Sequence, residues 1–491
     1  MTGAARRAPA GGGDVGARGV QAREALVLTA ADAARAMGGA LDRGPADRRV
    51  GGVSIDSRTL APGDLFLAIR GDRFDGHAFV GEAMAAGAMG AVVAGGAAVP
   101  AAAWPADAVV IRVEDTVRAL QALARHVRRA SGSQVVAITG STGKTTTKEA
   151  AAAFLGLRLT VLRSSGNLNN HIGLPLSLLQ LRARPDVAVV ELGMNHAGEI
   201  RRLVAIAEPD VRVWTNVAEV HSAFFASLDA IADAKAEVME GARPASLLVA
   251  NADDPLVMAR ARRFAGAVRT FGTHPSADVR AIGVEDLGLD GTAATLHAPA
   301  GERPLRTSLL GRGNLSNVLA AAAVALHYEV PLDAIAAEAA RLRPMPHRGE
   351  VVRLAGGVTL VDDSYNSNPR ALEIALDVVG RERRCGRRVA VIGEMLELGA
   401  QAAALHGACG RAAASAGLAV LVTVGGDAAR ALGAAAVGAG MAPSAVRHAA
   451  TSEEAAEAAL GVVRPGDLVL VKGSRGIRTE VVVERLAREF S

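Results

Sequence analysis

Several residue types are scarce in this 491-residue chain, and each scarcity excludes a class of protein. Aromatic residues make up only 3% of the sequence, too few for the stacking platforms that bind single-stranded nucleic acid or for an aromatic-rich β-sandwich. Two cysteines, Cys385 and Cys409, are too few for a disulfide framework, and they indicate a reducing cytoplasm. Basic and acidic residues are interspersed, 54 against 50, without the basic block that nucleic-acid binding requires.

Long apolar runs are also missing. Residues 1–24 are rich in Gly, Ala and Arg and lack the apolar core of a secretory signal, so we expect a disordered tail. Residues 83–106 carry no charge, but they contain two prolines and no Leu or Ile. That composition predicts a small-residue helix followed by a buried strand rather than a membrane span. The chain is therefore expected to be soluble and cytoplasmic.

Lysine is scarce, because arginine supplies 50 of the 54 basic residues. The four lysines are Lys144, Lys148, Lys235 and Lys472. Lysine differs from arginine in being a compact cation that can lose its proton when buried, and its amine can then form covalent adducts. Lysines kept in so arginine-rich a chain therefore point to chemistry that a guanidinium cannot perform. No neighbouring motif suggests such chemistry for Lys148, and we expect its side chain at the surface.

Apolar β-type runs alternate with helical patterns from about residue 111 onwards, which predicts an α/β fold with mainly parallel sheets. The last block has the size and pattern of a doubly wound, Rossmann-like domain. We predict a tail at 1–24 and three domains at 25–110, 111–344 and 345–491. The predicted strands are 135–139, 187–192, 211–217 and 246–251 in the middle block and 358–363, 388–393, 419–426 and 467–473 in the last.

A phosphate-binding loop is the strongest local signal. A buried strand runs directly into a helix through Gly140, Ser141, Thr142, Gly143, Lys144, Thr145 and Thr146. The glycines let backbone N–H groups turn inward, so that amides and the helix N-terminus cradle phosphate oxygens. Lys144 is then predicted to meet the β- and γ-phosphates, and the Thr145 hydroxyl to reach Mg²⁺. The loop is shorter than the common form, because Ile138 occupies its first glycine position.

Three residues beyond the loop are candidates for a metal site. Glu191 ends a predicted strand, where ligands gather in open α/β sheets, and carboxylates are ligands that Mg²⁺ prefers. His221 follows the next strand and is either a metal ligand or a structural histidine. Lys235 lies on the following helix, where it is either an exposed lysine or an amine that forms a carbamate with CO₂, an anionic metal-type ligand.

Two polar clusters follow strands in the last block. Asp363, Tyr365 and Asn366 come directly after one strand, and Lys472 ends another. Such clusters either bind a ligand at the strand ends or simply build turns, since Asn, Ser and Gly favour turns. Both interpretations remain open from the residues alone.

Taken together and in this order, the motifs resemble the Mur ligases of peptidoglycan synthesis, over about residues 50 to 486. The most specific motifs are GNLNN (166–170), ELGMNH (191–196) and DDSYNSNP (362–369). They favour the family members that add D-alanyl-D-alanine to UDP-N-acetylmuramoyl-tripeptide. The resemblance implies an N-terminal domain for the UDP-sugar, a central ATPase and a C-terminal domain for the dipeptide. It also implies that ATP converts the peptide carboxylate to an acyl phosphate, which the dipeptide amine attacks.

The resemblance implies a role for individual residues. Lys144, His221 and Lys235 would be catalytic, with Lys235 as the carbamylated lysine, and Thr145, Glu191, His221 and the Lys235 carbamate would hold magnesium. Asn317 would contact adenine, Arg348 phosphate and Asp363 ribose. The implied substrate-binding residues are Ser57, Arg58, Asn169, Asn170, Tyr365, Asn366 and Lys472.

The chain departs from the family pattern at two places, and alternative functions also remain. Gly313 occupies the position of a histidine near the adenine, and the motif before the last domain reads PHR instead of PGR. The alternatives are a related ligase, such as MurE or a folylpolyglutamate synthase, and a nucleotide-switched scaffold protein. We expect a monomer, and the third residue of the tripeptide, lysine or diaminopimelate, is left open.

Overall fold

The computed structural model describes most of the chain. The described residues are 23–71, 74–97, 104–164, 166, 168–219 and 224–491. The predicted tail, up to residue 22, and His221 lie outside them. The described chain is a mixed α/β structure with three sheets, which confirms the predicted fold class.

The first sheet has five short strands. Its strand order is β1-β5-β4-β3-β2, and only β1 runs antiparallel to its neighbour. In the described part of the uncharged stretch, residues 83–85 end a short helix and residues 90–94 form a buried strand, which agrees with the predicted order of helix and strand. The elements are α1 (Ala30–Met37), β1 (Ala40–Arg43), β2 (Val53–Ser54), β3 (Leu65–Leu67), α2 (Val80–Ala85), β4 (Gly90–Ala94) and β5 (Val109–Val113).

The central sheet has nine strands, of which the first seven along the chain run parallel. Its elements are α3 (Thr116–Ser131), β6 (Gln134–Thr139), α4 (Lys144–Leu155), β7 (Val161–Arg163), α5 (Gly173–Leu179), β8 (Val187–Glu191), α6 (Glu199–Ala207), β9 (Val211–Trp214), α7 (Leu228–Ala236), β10 (Leu247–Asn251), α8 (Pro255–Ala261), β11 (Ala267–Gly272), β12 (Val279–Asp286), β13 (Thr292–Ala298), β14 (Gly301–Thr307), α9 (Gly311–His327) and α10 (Leu332–Ala339). The strand order is β14-β13-β12-β11-β10-β9-β6-β8-β7.

Helices cover both faces of the central sheet, which explains the continuous apolar runs in its strands. All four strands predicted for this block are present, but the third ends at Trp214 instead of residue 217. On one face α4 packs against α9, and the buried alanines 150–152 and 320–323 let the two helices lie close together. This packing brings the N-terminal half of α9 beside the loop that precedes α4.

The third sheet has six strands, in the order β15-β16-β20-β17-β18-β19, with β15 alone antiparallel. The four predicted strands are confirmed, and β15 and β19 extend the sheet at its two edges. The elements are β15 (Glu350–Arg353), β16 (Thr359–Asp363), α11 (Pro369–Arg381), β17 (Arg388–Gly393), α12 (Ala402–Ser415), β18 (Val420–Val424), α13 (Asp427–Gly438), β19 (Val446–Ala449), α14 (Ser452–Leu460), β20 (Leu468–Lys472) and α15 (Glu480–Glu489). Apolar cores lie on both faces.

No helix in the described ranges is both long enough and apolar enough to traverse a lipid bilayer.

A buried carboxylate joins the central and third sheets. Glu382, just after α11, accepts hydrogen bonds from the backbone N–H of Leu289 (3.2 Å) and of Arg384 (2.7 Å). The Arg384 side chain binds the same carboxylate and also pairs with Asp290, next to Leu289 (2.6 Å). The Arg384 guanidinium, aided by these two N–H donors and opposed by burial, lowers the pKa of Glu382 to about 2.

We predict that Glu382→Gln lowers the free energy of unfolding at pH 7 by about 1 to 3 kcal/mol, since it weakens several hydrogen bonds to a charged group. The folded-state pKa lies below the unfolded value of about 4.3, so this contribution is present above that pH and is lost as the pH falls towards 2. Denaturant unfolding of both proteins from pH 7 to pH 3 measures it. The control is Glu373→Gln, which removes an exposed pair with Arg370 on α11. An equal loss in both variants would contradict the prediction.

Candidate active site

A cleft with a volume of about 1580 Å³ opens where the carboxyl ends of β6, β8, β9 and β10 face the third sheet. It collects most residues that the sequence singled out. Those lining it are Ser141, Thr142, Gly143, Lys144, Thr145, Thr146, Asn169, Asn170, Glu191, Lys235, Asn317, Arg348, Asp363, Tyr365, Asn366 and Lys472. Ser57 and Arg58 do not line it, and His221 lies outside the described residues.

Two glycines of the phosphate loop have conformations that other residues adopt only with strain. Gly143 has a φ of +82°, and a Cβ atom there would lie 2.1 Å from Oδ1 of Asn317. Gly140 has a φ of +149°, and a Cβ atom would lie 1.9 Å from Oγ1 of Thr215. The loop therefore needs glycine at both places for the backbone angle and for the close neighbours. Asn317 lies against the loop where α4 begins.

The segment after β9 holds the loop in place, and sequence reasoning missed it. The Asn216 side chain accepts a hydrogen bond from the Thr142 N–H (2.9 Å), and its backbone carbonyl accepts one from the Ser141 N–H (3.1 Å). The Thr215 hydroxyl donates to the Thr142 carbonyl (2.7 Å). The available signal was a pair of polar residues immediately after a buried strand, at the edge where ligands bind.

A further layer supports that segment from β10 and the residues after it. The Asn251 amide donates to the Thr215 carbonyl (2.7 Å), and the Asp254 carboxylate accepts from the Val217 N–H (2.7 Å). Asp254 also caps the N-terminus of α8. The phosphate loop thus rests on hydrogen bonds that extend across three neighbouring strands.

The Lys144 side chain turns back onto its own loop. Its Nζ donates to the carbonyl of Gly140 (2.8 Å), which holds the ammonium against the backbone of the loop. Burial lowers the pKa of Lys144, and nearby Arg348 adds to that effect while Glu191 opposes it. The arrangement provides concentrated positive charge for an anionic group bound in the loop.

Glu191 ends β8 with a buried side chain that is only 3% exposed. Its Oε1 accepts no hydrogen bond from any described residue, although it is buried. A carboxylate oxygen without a donor, together with the cleft-lining Thr145, offers oxygen ligands of the kind Mg²⁺ takes. Within the described ranges no three His, Cys, Asp or Glu side chains form a metal-binding group. These residues therefore fit a magnesium ion that also needs ligands from a bound phosphate.

The predicted surface position of Lys148 is wrong. Its side chain is 1% exposed, and Nζ donates to the Ser164 carbonyl (2.7 Å). The ammonium also lies 3.1 Å from Oε1 of Glu149 and 3.4 Å from Oε1 of Glu191. The physical reason is helix periodicity, because Lys148 follows Lys144 by four residues and so shares its inward face of α4.

Lys235 lies in the last turn of α7 with 2% of its surface exposed. Burial lowers its pKa well below the ordinary lysine value, and the charge of Lys144 lowers it further. No ion pair or hydrogen bond joins its amine to another residue in the part of the chain that is described. Such an environment favours the neutral amine, the form that reacts with electrophiles.

On the opposite wall, Lys472 of β20 forms an ion pair with Asp363 of β16 (2.6 Å between Nζ and Oδ2). The same ammonium donates to the Asn366 carbonyl (3.0 Å). Burial raises the pKa of Asp363, and Lys472 and Arg348 oppose that shift. Lys472 thus orients Asp363 and the turn after it.

Arg348 and Tyr365 meet beside this pair. The Arg348 guanidinium carbon lies 4.0 Å from the centroid of the Tyr365 ring, and that of Arg475 lies 5.5 Å from it. Both distances are typical of cation–π contacts. Tyr365 therefore orients two cations at the cleft wall.

The remaining predicted residues have local structural contacts. The Asn170 side chain accepts from the N–H groups of Ile172 and Gly173, at the start of α5. The Asn169 carbonyl accepts from the Gly193 N–H (2.9 Å), just after Glu191. On the first sheet, Arg58 pairs with Asp56 (2.7 Å), away from the cleft lining.

Gly313, the departure from the family pattern, lines the cleft on the first turn of α9. A Cβ atom there would meet only Ile374, at an ordinary 3.6 Å. A larger side chain would therefore fit at position 313, where this protein has glycine.

Comparison with known proteins relates the whole architecture to one family. Three family models match: the Mur ligase family catalytic domain at residues 49–128, the Mur ligase middle domain at 138–325 and the Mur ligase glutamate ligase domain at 347–475. The chain is 36% identical over 383 residues to the UDP-N-acetylmuramoyl-tripeptide–D-alanyl-D-alanine ligase of Escherichia coli, covering 77% of this chain and 82% of that one. It is 35% identical over 501 residues to the ligase of the same name from Mycobacterium tuberculosis H37Rv, covering 94% and 98%.

Solved structures agree. A crystal structure of MurF from Acinetobacter baumannii has a TM-score of 0.84 at 30% identity, covering 95% of this chain and 100% of that one. MurF from Thermotoga maritima in complex with ADP has a TM-score of 0.78 at 29% identity, covering 89% and 97%.

We predict that Lys235→Met stabilises the protein in CO₂-free buffer at pH 7, by on the order of 1 to 3 kcal/mol, because it removes a buried polar group. The folded-state pKa is depressed, so the unfolded chain binds more protons at every pH between it and about 10.4. Wild-type stability therefore rises with pH in that window, and the advantage of the variant shrinks towards pH 10. Thermal unfolding of the wild type and of Lys235→Met from pH 7 to pH 10 measures the stability difference and its dependence on pH. A variant that is less stable at pH 7, or a gain that does not change with pH, would refute the prediction.

Proposed function

The chain belongs to the Mur ligase family, and from that premise we propose that it uses ATP to join D-alanyl-D-alanine to UDP-N-acetylmuramoyl-tripeptide, releasing ADP and phosphate. The reaction is the last cytoplasmic step towards the pentapeptide precursor of peptidoglycan. One observation carries the proposal: the phosphate loop, the unpartnered oxygen of Glu191, the buried amine of Lys235 and the Asp363–Lys472 pair all line one cleft.

The first chemical step is transfer of the γ-phosphoryl group of ATP to the terminal carboxylate of the tripeptide. The loop amides and Lys144 hold the phosphates and offset the charge that spreads over their oxygens during transfer. Arg348, oriented by Tyr365, adds a second cation from the opposite wall. A magnesium ion held by Thr145 and Glu191 would neutralise phosphate charge when bound.

The second step is attack of the dipeptide amine on the acyl phosphate. The amine nitrogen bonds to the carbonyl carbon, which passes through a tetrahedral intermediate. Phosphate then leaves with the electron pair of the broken C–O bond, and the nitrogen releases a proton to solvent. The third sheet supplies the wall where the amine substrate enters, with Tyr365, Asn366 and the Lys472-held turn. Asp363 and Asn317 would contact the ribose and adenine of ATP. Asn169 and Asn170, which line the cleft, would bind the peptide, and Ser57 and Arg58, just after β2, would bind the uridine diphosphate.

We assign one role to each sheet region. The predicted boundary after residue 110 falls inside β5 (Val109–Val113), so we extend the first region to residue 113. Residues 25–113 would bind the UDP-sugar. Residues 114–344 would bind ATP, and residues 345–491 the dipeptide. We further propose a cytoplasmic monomer. Cys385 and Cys409 are free thiols, which suits a reducing compartment.

The test is phosphate release from ATP and Mg²⁺ with UDP-N-acetylmuramoyl-tripeptide, with and without D-alanyl-D-alanine. Peptides with lysine and with diaminopimelate at position three are compared, and product mass is measured. Release that requires both substrates and yields the pentapeptide supports the proposal. Lys144→Met should reduce kcat at least about 100-fold, whereas Arg35→Met, an exposed change on α1, should leave it unchanged.

Other outcomes identify the alternatives. Release with a different amine would point to a different family member, and release without any amine would point to a nucleotide switch. Either result would overturn the proposed acceptor.

We also propose that Lys235 carries a carbamate formed with CO₂. The buried amine with its depressed pKa supports this, because CO₂ reacts with the unprotonated form. His221 and the carbamate would then complete the metal-binding set.

We predict that Lys235→Ala lowers kcat about 100-fold or more and that added acetate partly restores it, since a small carboxylate can replace the carbamate. Lys235→Arg is the matched control, because it retains a cation that forms no carbamate, and acetate should not rescue it. Protein equilibrated with ¹³C-bicarbonate should show a carbamate carbon resonance in the wild type and none in Lys235→Arg. A resonance that persists in the arginine variant, or a fully active variant, would exclude the carbamate.

A further inference from the structure

Lys148 occupies a position that the proposed reaction does not explain. It is a buried cation on the inward face of α4, and its Nζ lies 3.4 Å from Oε1 of Glu191. That oxygen accepts no hydrogen bond within the described residues, so the contact with Lys148 is one of charge rather than of an aligned hydrogen bond. The ammonium donates instead to the Ser164 carbonyl (2.7 Å). Lys148 therefore neutralises Glu191 while leaving its oxygen free for another ligand.

The second carboxylate beside Lys148 has a partner of its own. Glu149 lies 3.1 Å from the same ammonium but also pairs with Arg163. Glu191 forms no other ion pair with a described residue. Removing Lys148 would therefore leave Glu149 with a cation, whereas Glu191 would lose the one cation that it pairs with directly. The charge of Lys148 is directed chiefly at Glu191.

We propose that Lys148 is a positioning residue that serves as the built-in counter-cation of Glu191 and keeps the affinity for a divalent cation low until nucleotide phosphates are bound. This proposal depends on the proposed function only in taking Glu191 as a metal ligand. A divalent cation that binds Glu191 must do so beside the fixed positive charge of Lys148, which disfavours metal binding before nucleotide binds. The negative phosphates in the neighbouring loop offset that repulsion, so metal and nucleotide bind together.

The geometry also explains why this position is a lysine. The ammonium fits between a backbone carbonyl and two carboxylates that all lie within 3.4 Å of one nitrogen. A compact ammonium can donate to one carbonyl while lying close to two carboxylates, whereas the larger planar guanidinium of arginine spreads its charge and its donors over a wider plane. Lys148 thus needs the same compactness as Lys144, for a different partner.

The experiment measures binding of Mn²⁺, a paramagnetic substitute for Mg²⁺, to the full-length protein without nucleotide, by loss of the free-ion EPR signal. Lys148→Met should bind Mn²⁺ about tenfold or more tightly than the wild type, because a charge a few ångströms away is removed. Lys148→Met with Glu191→Gln should lose this gain. Glu149→Gln, the matched control, retains the Lys148–Glu191 pair and should show no gain.

A second readout is the coupling between metal and nucleotide. ADP should tighten Mn²⁺ binding in the wild type, and this factor should be smaller in Lys148→Met by about the same tenfold, since the repulsion that ADP relieves is gone. A structural role alone would lower the unfolding temperature of Lys148→Met and leave both the Mn²⁺ affinity and the coupling factor unchanged.

Two results would overturn the proposal: Mn²⁺ affinity in Lys148→Met equal to or weaker than in the wild type, or a gain that persists after Glu191→Gln is added. If Lys148→Met does not fold, Lys148→Met with Glu149→Gln removes the cation together with one carboxylate, and the same tightening is expected. The assay contains no peptide substrate. A protein that shows the metal effect but fails to ligate D-alanyl-D-alanine would therefore overturn the proposed function and leave this inference standing.

Discussion

The site depends on one constraint: parallel strands place their carboxyl ends at the same edge of a sheet. The ends of β6, β8, β9 and β10 therefore supply the phosphate loop, Glu191, Asn216 and Asn251 within a single cleft, although about 110 residues separate the first from the last. The N-terminus of α4, the positive end of its helix dipole, lies at this edge too. Any arrangement that broke the parallel order around β6 would scatter these groups.

The scarcity of lysine acquires a physical explanation in this cleft. Lys144, Lys235 and Lys472 line it, and Lys148 contacts its metal-type carboxylate. Each ammonium has a small space and a particular acceptor, or in the case of Lys235 no described acceptor at all. The exposed cations of the chain are arginines, which form most of the surface ion pairs. A bulky guanidinium with a permanently high pKa would suit none of these four positions.

The cleft also contains several charged side chains that lie close to one another. Burial and the nearby charge of Arg348 lower the pKa of Lys144, and burial raises the pKa of Asp363 while Lys472 opposes that shift. In a region of low dielectric such charges interact strongly, and an anionic substrate relieves the repulsion among the cations. The repulsion among these cations is therefore relieved when an anionic nucleotide binds, and that relief contributes to binding.

The sequence by itself determined the fold class, the eight main strands of the two larger sheets and the phosphate loop, because each is encoded in a short contiguous stretch. Continuous apolar runs indicate strands that are buried on both faces of a sheet. The spacing of Gly140 and Gly143 indicates a turn from strand to helix. Only the tertiary structure decided the support behind that loop, the burial of Lys148 and the pairing of Lys472 with Asp363, whose partners are 109 residues apart in the chain. Local patterns do not specify such contacts, because they depend on which strands become neighbours and on how closely the alanine faces of α4 and α9 pack.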